Sequence, residues 1–155
     1  MTPQRVSLIT LGVADLDRAR DFYGSLGWGP VPSPPSVVFY QLDGQVLGLF
    51  PLGPMAEDQG RPGAKLETGA LALAQNFPDR ASVDQAFSDA LRAGATALKA
   101  PEEVFWGGYS GQYMDPDGHV WEVAHNPFWE IDAAGRITIP EAPAAGDAGA
   151  GEGAH

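Results

Sequence analysis

The fold is decided by one stretch of the chain, Tyr113-Met114-Asp115-Pro116-Asp117-Gly118-His119-Val120-Trp121-Glu122-Val123-Ala124-His125-Asn126-Pro127. At its centre, Asp115–Gly118 has the composition of a tight turn: proline fixes φ, aspartate can cap nearby backbone, and glycine accepts a positive φ. Runs rich in β-forming residues lie on either side, at 108–114 and 119–124. The stretch therefore predicts a β-hairpin.

The second strand of this hairpin carries a single carboxylate, Glu122, between Trp121 and Val123. A carboxylate inside an apolar strand is costly to bury unless it binds something. Two interpretations are open at this point. Glu122 lies on a solvated face of the sheet, or it points into a pocket.

Charge and composition limit the classes of function. The chain has 155 residues, enough for one domain or two small fused modules, and 44% of them are hydrophobic. Its net charge is −11, so it lacks the basic footprint of nucleic-acid binding, and we expect no nucleic-acid partner. It has no cysteine, which excludes disulfides, thiolate metal ligands and cysteine nucleophiles.

The N-terminal residues show no targeting signal. The segment 1–5 is followed directly by a strand-like run, without a charged region and an apolar region in sequence. No apolar run approaches the roughly 20 residues that span a bilayer. We therefore expect no membrane partner and a cytoplasmic location, which the absence of cysteine also fits.

The first half of the chain predicts the order β-α-(β)-β-β. A β-rich run at 6–13 precedes Asp15, which can cap a helix that ends before Gly27. The proline-rich segment 30–35 is too broken for a central strand. Strands are then predicted at 36–42 and 45–52. The sequence Asp43-Gly44 between them is a strong hairpin signal.

The second half repeats this order after a linker at 53–67 that is rich in glycine, proline and charge. A strand is predicted at 69–75, and Ser82 with Gln85 forms the pattern of a capping box at the start of a helix. A loop through Pro101 leads to the 113–127 hairpin. We therefore divide the chain into modules at 5–52 and 68–130 and a C-terminal extension at 131–155. This extension includes one possible short strand and is predicted to be disordered after about 141.

The two halves also match residue by residue. A shift of 74 places Asp43-Gly44 on Asp117-Gly118, Phe39 on Tyr113, and Val46 on Val120. A period near 70 residues, with a strand, a helix and further strands in each unit, indicates an internal duplication. Each unit has too little sheet to bury both of its faces, so a pairing of the two halves is expected.

The segment Asp115–Val123 resembles the closing signature of the vicinal-oxygen-chelate superfamily, which includes glyoxalase I, bleomycin and fosfomycin resistance proteins, and extradiol dioxygenases. The resemblance covers residues 5 to about 130. It implies an α+β fold of two paired βαβββ modules, with curled mixed sheets around a central cavity. It also implies a small-molecule ligand, and we expect a homodimer.

The same resemblance bears on metal binding. Members of the superfamily usually take one metal ligand from each of four strands, and these positions fall on Leu8, Gly48, Ala70 and Glu122. Only Glu122 can bind a metal, whereas zinc, iron and nickel sites need about three protein ligands. A local site of His119, Glu122 and His125 is disfavoured because odd and even positions of a strand face opposite sides. We therefore predict no metal and no other cofactor.

The resemblance also suggests which residues line the cavity. The predicted ligand-binding residues are Thr10, Tyr40, Trp106, Ser110, Gln112 and Glu122. Trp106 lies in the glycine-flexible segment Trp106–Tyr109, which either stacks on a planar ligand or packs against the other half.

Four functions stay open from the sequence. The first is a metal-free protein that sequesters a small organic ligand, with a preference for cations because the chain is acidic. The second is a lyase or isomerase in which buried Glu122 is the catalytic general base. The third is a divalent-metal glyoxalase or dioxygenase, and the fourth is an interaction module without a ligand.

Overall fold

The computed structural model describes residues 4–69 and 71–140 of the chain. The predicted disorder after about 141 and the position of Ala70 lie outside the described residues. The chain divides into two compact units. Of the described residues, unit 1 contains 4–68 and Pro116–His119, and unit 2 contains 69, 71–115 and 120–140.

Unit 1 is built on a three-stranded mixed sheet. Its elements in chain order are β1 (Leu8–Val13), α1 (Leu16–Ser25), β2 (Val38–Gln41), β3 (Val46–Pro51) and α2 (Leu52–Asp58). The strand order is β1-β3-β2, with β1 parallel and β2 antiparallel to the central β3. In place of a further strand, the proline-rich segment contributes one isolated bridge between Val31 and Phe39. Proline cannot donate to a strand ladder, which explains why no longer strand forms there.

Helix α1 covers one face of this sheet and begins and ends where the sequence predicts. The Asp15 carboxylate accepts a hydrogen bond from the Arg18 backbone N–H at 3.0 Å, and Gly27 follows the helix with φ of 91°. The helix buries Phe22 and Tyr23. The Tyr23 ring lies 6.0 Å from the ring of Tyr40, so α1 packs on the Tyr40 face of the sheet.

The turn Pro116–His119 belongs to unit 1, where it caps the entry to α1. Asp117 Oδ1 accepts hydrogen bonds from the Ala14 backbone N–H and from Arg18 Nη2, both at 2.8 Å. His119 Nε2 lies 2.7 Å from the Gly12 carbonyl oxygen. The Asp117 side chain is 4% exposed, whereas that of its partner Arg18 is 48% exposed.

Unit 2 has a four-stranded mixed sheet and a small hairpin. Its elements are β4 (Ala72–Asn76), α3 (Arg80–Arg92), β5 (Thr96–Glu103), β6 (Tyr109–Met114), β7 (Val120–His125), β8 (Glu130–Ile131) and β9 (Ile137–Thr138). The strand order is β4-β7-β6-β5, with β4 parallel to β7. Strands β8 and β9 pair with each other around a turn at Gly135, which has φ of 86°. The predicted α+β class with mixed sheets is confirmed.

Two local predictions in unit 2 are wrong. Helix α3 is capped by Asp79, whose carboxylate accepts from the Ser82 backbone N–H at 2.7 Å, so Ser82 is inside the helix and not its cap. The segment through Pro101, predicted as a loop, contains strand β5. This edge strand is mostly exposed and its pairing with β6 shifts register twice, so it lacks the apolar alternation that marks a strand in sequence.

The predicted match between the halves is correct for one strand and wrong for its neighbour. A shift of 74 places β3 on β7, end to end. However, Phe39 pairs with Gly48 and Gln112 pairs with Glu122, so Phe39 corresponds to Gln112 and not to Tyr113. The cause is the hairpin loop, which has four residues in unit 1 (42–45) and five in unit 2 (115–119). One added residue moves every side chain of the preceding strand to the other face.

Candidate functional site

The face of the unit 1 sheet opposite α1 has no side chain at Gly48, and the Phe39 ring lies over this position. This glycine is the register partner of both Thr10 and Phe39. A Cβ atom at Gly48 would lie 3.1 Å from Phe39 Cε1 and 3.5 Å from Thr10 Oγ1, so all three residues share this face. Helix α2 packs at its far end, where a Cβ on Gly12 would meet Leu52 and Met55. Helix α2 therefore closes one end of this face, and the Phe39 ring lies over Gly48 at its centre.

A cavity of about 500 Å³ lies on this face of unit 1. That volume falls within the range of small-molecule sites. Strands β1, β2 and β3 supply most of its apolar wall, and α2 with the residue after it supplies part of its polar rim. The apolar lining residues are Leu8, Val37, Phe39, Phe50 and Met55, and the polar ones are Thr10, Ser36, Asp58 and Gln59.

The structure separates two residues that the sequence placed together. Thr10 lines the unit 1 cavity. Tyr40 does not, because it lies on the α1 face of the sheet, where it is 2% exposed. Phe39 lines the cavity in the place predicted for Tyr40. The reason is the same one-residue difference between the hairpin loops.

Sequence reasoning missed the contribution of α2, which begins at the last residue of a predicted strand, Leu52, and otherwise falls inside the predicted linker. Gly53 and Pro54 read as helix breakers, but Pro54 lies in the first helical turn, where backbone N–H groups have no partner within the helix. The spacing of Leu52, Met55 and Ala56 is the signal that could have revealed this helix.

In unit 2, the two faces of the sheet can be told apart by Tyr109. Its hydroxyl donates to Asp84 Oδ1 at 2.6 Å, and the Arg80 guanidinium lies 5.1 Å from its ring centre. Both partners belong to α3, so the odd positions of β6 face this helix. Ser110 and Gln112 therefore face the opposite side, and Glu122 shares that side because it pairs with Gln112. The structure brings these three predicted residues to one face.

Glu122 is buried, so the interpretation of a solvated carboxylate is wrong. The residue is 4% exposed and lies between Ala74 on β4 and Gln112 on β6. Burial raises the pKa of Glu122 to about 7, and the positive charge of Lys99 opposes part of that rise. Lys99 lies on β5, where it pairs with Gln112 of β6. The Lys99 ammonium is 3.0 Å from Glu102 Oε1. A carboxyl group with this pKa can both accept and donate a proton near neutral pH.

Trp106 is packed within its own turn and does not form an exposed rim. The residue is 8% exposed, and its ring occupies the space where a side chain at Gly108 would lie. The sequence left open packing against the other half, and the contact that the structure shows is with Gly108 of the same turn. The neighbouring aromatic residue Phe105, just before this segment, is 85% exposed.

The described residues do not fit a transition-metal site. In the ranges 4–69 and 71–140, no group of three or more histidine, aspartate or glutamate residues is placed to hold an ion. His119 Nε2 contacts the Gly12 carbonyl, and His125 Nδ1 lies 3.0 Å from the Phe77 carbonyl. Beside Glu122, the paired positions are an alanine and a glutamine.

Family comparison agrees with this architecture. The model of the glyoxalase/bleomycin resistance protein/dioxygenase superfamily matches residues 5–123. The chain belongs to this superfamily. Comparison with curated proteins gives no match. Among the residues that the structure describes, no helix is both long enough and apolar enough to cross a membrane.

Solved structures of other superfamily members share the fold. A glyoxalase-related enzyme from Fulvimarina pelagi is 38% identical with a TM-score of 0.82, covering 88% of this chain and 99% of its own. A lactoylglutathione lyase from Agrobacterium tumefaciens is 24% identical with a TM-score of 0.63, covering 84% of this chain and 100% of its own. A glyoxalase/bleomycin resistance protein/dioxygenase from Nocardioides is 18% identical with a TM-score of 0.69, covering 81% of this chain and 85% of its own. The last two show the likeness of the fold alone.

Proposed function

We propose that this superfamily member binds a small organic molecule, without a metal, in the unit 1 cavity. The observation that carries the proposal is the cavity of about 500 Å³ on the face of the unit 1 sheet that carries Thr10, Phe39 and Phe50. Its walls are mainly apolar, with a few polar groups that can orient a ligand, which is the usual composition of such sites. The metal-free part rests on the described residues that pair with Glu122 and Gly48, none of which is a histidine or a second carboxylate.

The charge of the site favours a ligand with a cationic group. Asp58 is the one ionisable residue among those that line the cavity, and it is exposed at its rim. The net charge of −11 on the chain adds a field of the same sign. We therefore propose an apolar or aromatic molecule with an amine, its ring between Phe39 and Phe50 and its amine near Asp58.

A matched pair of probes tests this proposal. 4-Phenylbutylamine and 4-phenylbutyrate have the same ring and chain and opposite charges. The amine should raise the melting temperature and the carboxylate should not, and Asp58→Asn should reduce the difference. Gly48→Val should weaken amine binding because its Cβ would crowd the Phe39 ring. Asp21→Asn, on exposed α1 surface, is the control.

Three results would contradict the proposal. If neither probe binds, or if Gly48→Val leaves amine binding unchanged, the cavity is not the site. If protein prepared without chelator retains stoichiometric zinc, nickel or iron after dialysis, the metal-free assignment is wrong.

Glu122 supports a second candidate function, a lyase or isomerase in which this residue is the general base. The specific observation is burial that raises its pKa to about 7. The 38% identical relative is named a glyoxalase-related enzyme, which favours a catalytic role. Solvent-deuterium exchange next to the carbonyl of α-hydroxyketones, followed by NMR, tests it. Exchange should be lost in Glu122→Gln and should follow a pH profile centred near 7; exchange that survives this substitution would exclude Glu122 as the base.

We also propose a cytoplasmic homodimer, on the family resemblance and the absence of cysteine. Light scattering coupled to size-exclusion chromatography measures the assembly directly. A monomeric mass at micromolar concentration would contradict the dimer.

A further inference from the structure

The dipeptide Asp-Gly occurs twice in the chain, at Asp43-Gly44 and at Asp117-Gly118, each time in the loop of a β-hairpin. It is chemically reactive, because the backbone nitrogen of the glycine can attack the side-chain carboxyl carbon of the aspartate. Glycine has no Cβ to obstruct this attack, and its backbone adopts the conformations that ring closure requires. The two loops therefore carry the same reactive dipeptide, and their structural surroundings can be compared directly.

The reaction is an isomerisation that needs no external reagent. The glycine nitrogen bonds to the carboxyl carbon and loses its proton, and a carboxyl oxygen leaves as water, which gives a cyclic imide. Water then adds to one of the two imide carbonyls. Opening at the side-chain carbonyl restores aspartate, whereas opening at the main-chain carbonyl gives isoaspartate. In isoaspartate the chain continues through the side-chain carbons, so the main chain is one atom longer and the mass is unchanged.

The structure leaves Asp43-Gly44 open to this reaction. Both residues are exposed. A Cβ placed on Gly44 would meet nothing within 4 Å, so there is room for the loop atoms to rearrange around this glycine. Its φ of 77° lies in the left-handed region, which glycine enters and leaves without a steric barrier from a side chain. Loops of this kind are also more mobile than the strands that they connect.

The second dipeptide, Asp117-Gly118, is held in place. The Asp117 side chain is 4% exposed, and its Oδ1 accepts hydrogen bonds from the Ala14 backbone N–H and from Arg18 Nη2, both at 2.8 Å. A Cβ placed on Gly118 would lie 3.0 Å from Thr68 Oγ1, so the space beside this glycine is occupied. The Asp117 carboxyl group must give up its hydrogen bonds before it can turn toward the glycine nitrogen.

We propose that Asp43 is a site of spontaneous isomerisation to isoaspartate, and that this modification loosens the β2–β3 hairpin. The Leu42 backbone N–H donates to the Gln45 carbonyl at 2.8 Å, and the Gln41 amide nitrogen donates to the carbonyls of both residues. An added main-chain atom between Leu42 and Gln45 disturbs these hydrogen bonds. Because loop length sets the pairing register of β2, the change acts on the strand that carries Phe39.

The test incubates the full chain at physiological temperature and pH and samples it over several weeks. Electron-transfer fragmentation of its peptides distinguishes isoaspartate from aspartate at each position. In the folded chain, isoaspartate should form at least about tenfold faster at Asp43 than at Asp117, the factor expected from one hydrogen bond to a charged group. In concentrated urea the two positions should react at similar rates, because unfolding removes the hydrogen bonds of Asp117.

A matched variant connects the modification to stability. Asp43→Glu keeps the charge but can cyclise only through a larger ring, which forms more slowly, so position 43 should stay unmodified. The isoaspartate form of the natural chain, isolated by chromatography, should melt about 2–4 °C below the fresh chain, the shift expected for loss of one backbone hydrogen bond in a chain of this size. Asp43→Glu incubated in parallel should keep its melting temperature.

The proposal is overturned if the folded chain forms no isoaspartate at Asp43, or if Asp117 reacts equally fast in the folded chain. It is also overturned if Asp117 remains slower by the same factor in urea, since the fold would then not be the cause. An isoaspartate form that melts with the fresh chain, or an equal loss of stability in incubated Asp43→Glu, would refute the effect on the hairpin. None of these measurements uses a ligand, so the outcome is independent of what the unit 1 cavity binds.

Discussion

The buried carboxyl of Glu122 gives the protein a pH-dependent stability that one substitution removes. Its pKa rises from 4.5 to about 7 on folding, so the folded state binds the proton more tightly than the unfolded state. Stability from this group is fully present below pH 4.5 and is lost as the pH rises through 7. The loss is about 3 kcal/mol, from a shift of 2.5 units (7 minus 4.5) at about 1.36 kcal/mol per unit.

Glu122→Gln keeps the shape of the side chain and cannot ionise. At pH 8 it should be more stable than the natural chain by up to about 3 kcal/mol, which corresponds to roughly 6–12 °C in melting temperature for a chain of this size. At pH 4 the two proteins should be equally stable. Urea unfolding followed by tryptophan fluorescence, at half-unit steps from pH 4 to 8.5, measures the difference between them.

Three comparisons make this measurement specific to Glu122. Glu130→Gln removes an exposed carboxylate in unit 2 and should give a difference that does not depend on pH. Lys99→Met removes the charge that lowers the pKa of Glu122, so the loss of stability should be larger and should continue to a higher pH than in the natural chain. Each series is repeated with a chelator.

The reasoning is refuted if the natural chain and Glu122→Gln keep a constant difference across this pH range. It is also refuted if the variant is less stable at pH 8 and the deficit disappears in chelator. That second result would mean that the charged carboxylate holds a metal ion.

Three further substitutions test the fold. Asp117→Ala removes the acceptor of Ala14 and Arg18 and should lower the free energy of unfolding by about 2–3 kcal/mol in urea, and an effect no larger than that of exposed Asp17→Ala would contradict the capping role. Gly111→Ala should cost about 1–3 kcal/mol, because its Cβ would lie 2.9 Å from Pro101 N and 3.0 Å from the Lys99 carbonyl; unchanged stability would mean that β5 is not held there. Gly24→Ala in α1 has open space and should stabilise by about 0.5–1 kcal/mol in the same assay, so a destabilised variant would contradict the local geometry.

The sequence predicts the features of this chain that depend on near neighbours. The turn at Asp115–Gly118, the cap at Asp15 and the end of α1 at Gly27 are set by the residues themselves, and all three are found. The burial of Glu122 was one of two open alternatives. It could not be decided because it depends on the strands that flank β7.

The predictions from sequence are wrong where packing between distant segments determines the local structure. The extra residue in the second hairpin loop is visible in the sequence, but its effect on β2 depends on the pairing register. Because of this register, Phe39 lines the cavity where the sequence predicts Tyr40. Strand β5 is held by its pairing with β6 and not by apolar periodicity. Helix α2 buries only Ala56 fully, so its apolar signal is short.

The turn at Pro116–His119 affects how the chain can be divided experimentally. By sequence it connects β6 to β7, but it belongs to unit 1, where it supplies the acceptor at the entrance of α1. A gene fragment that stops at Thr68 would leave out this acceptor and also the His119 contact to Gly12. Split-protein designs and exchanges of one half between relatives should therefore carry residues 116–119 with the N-terminal segment, for example through a circular permutant.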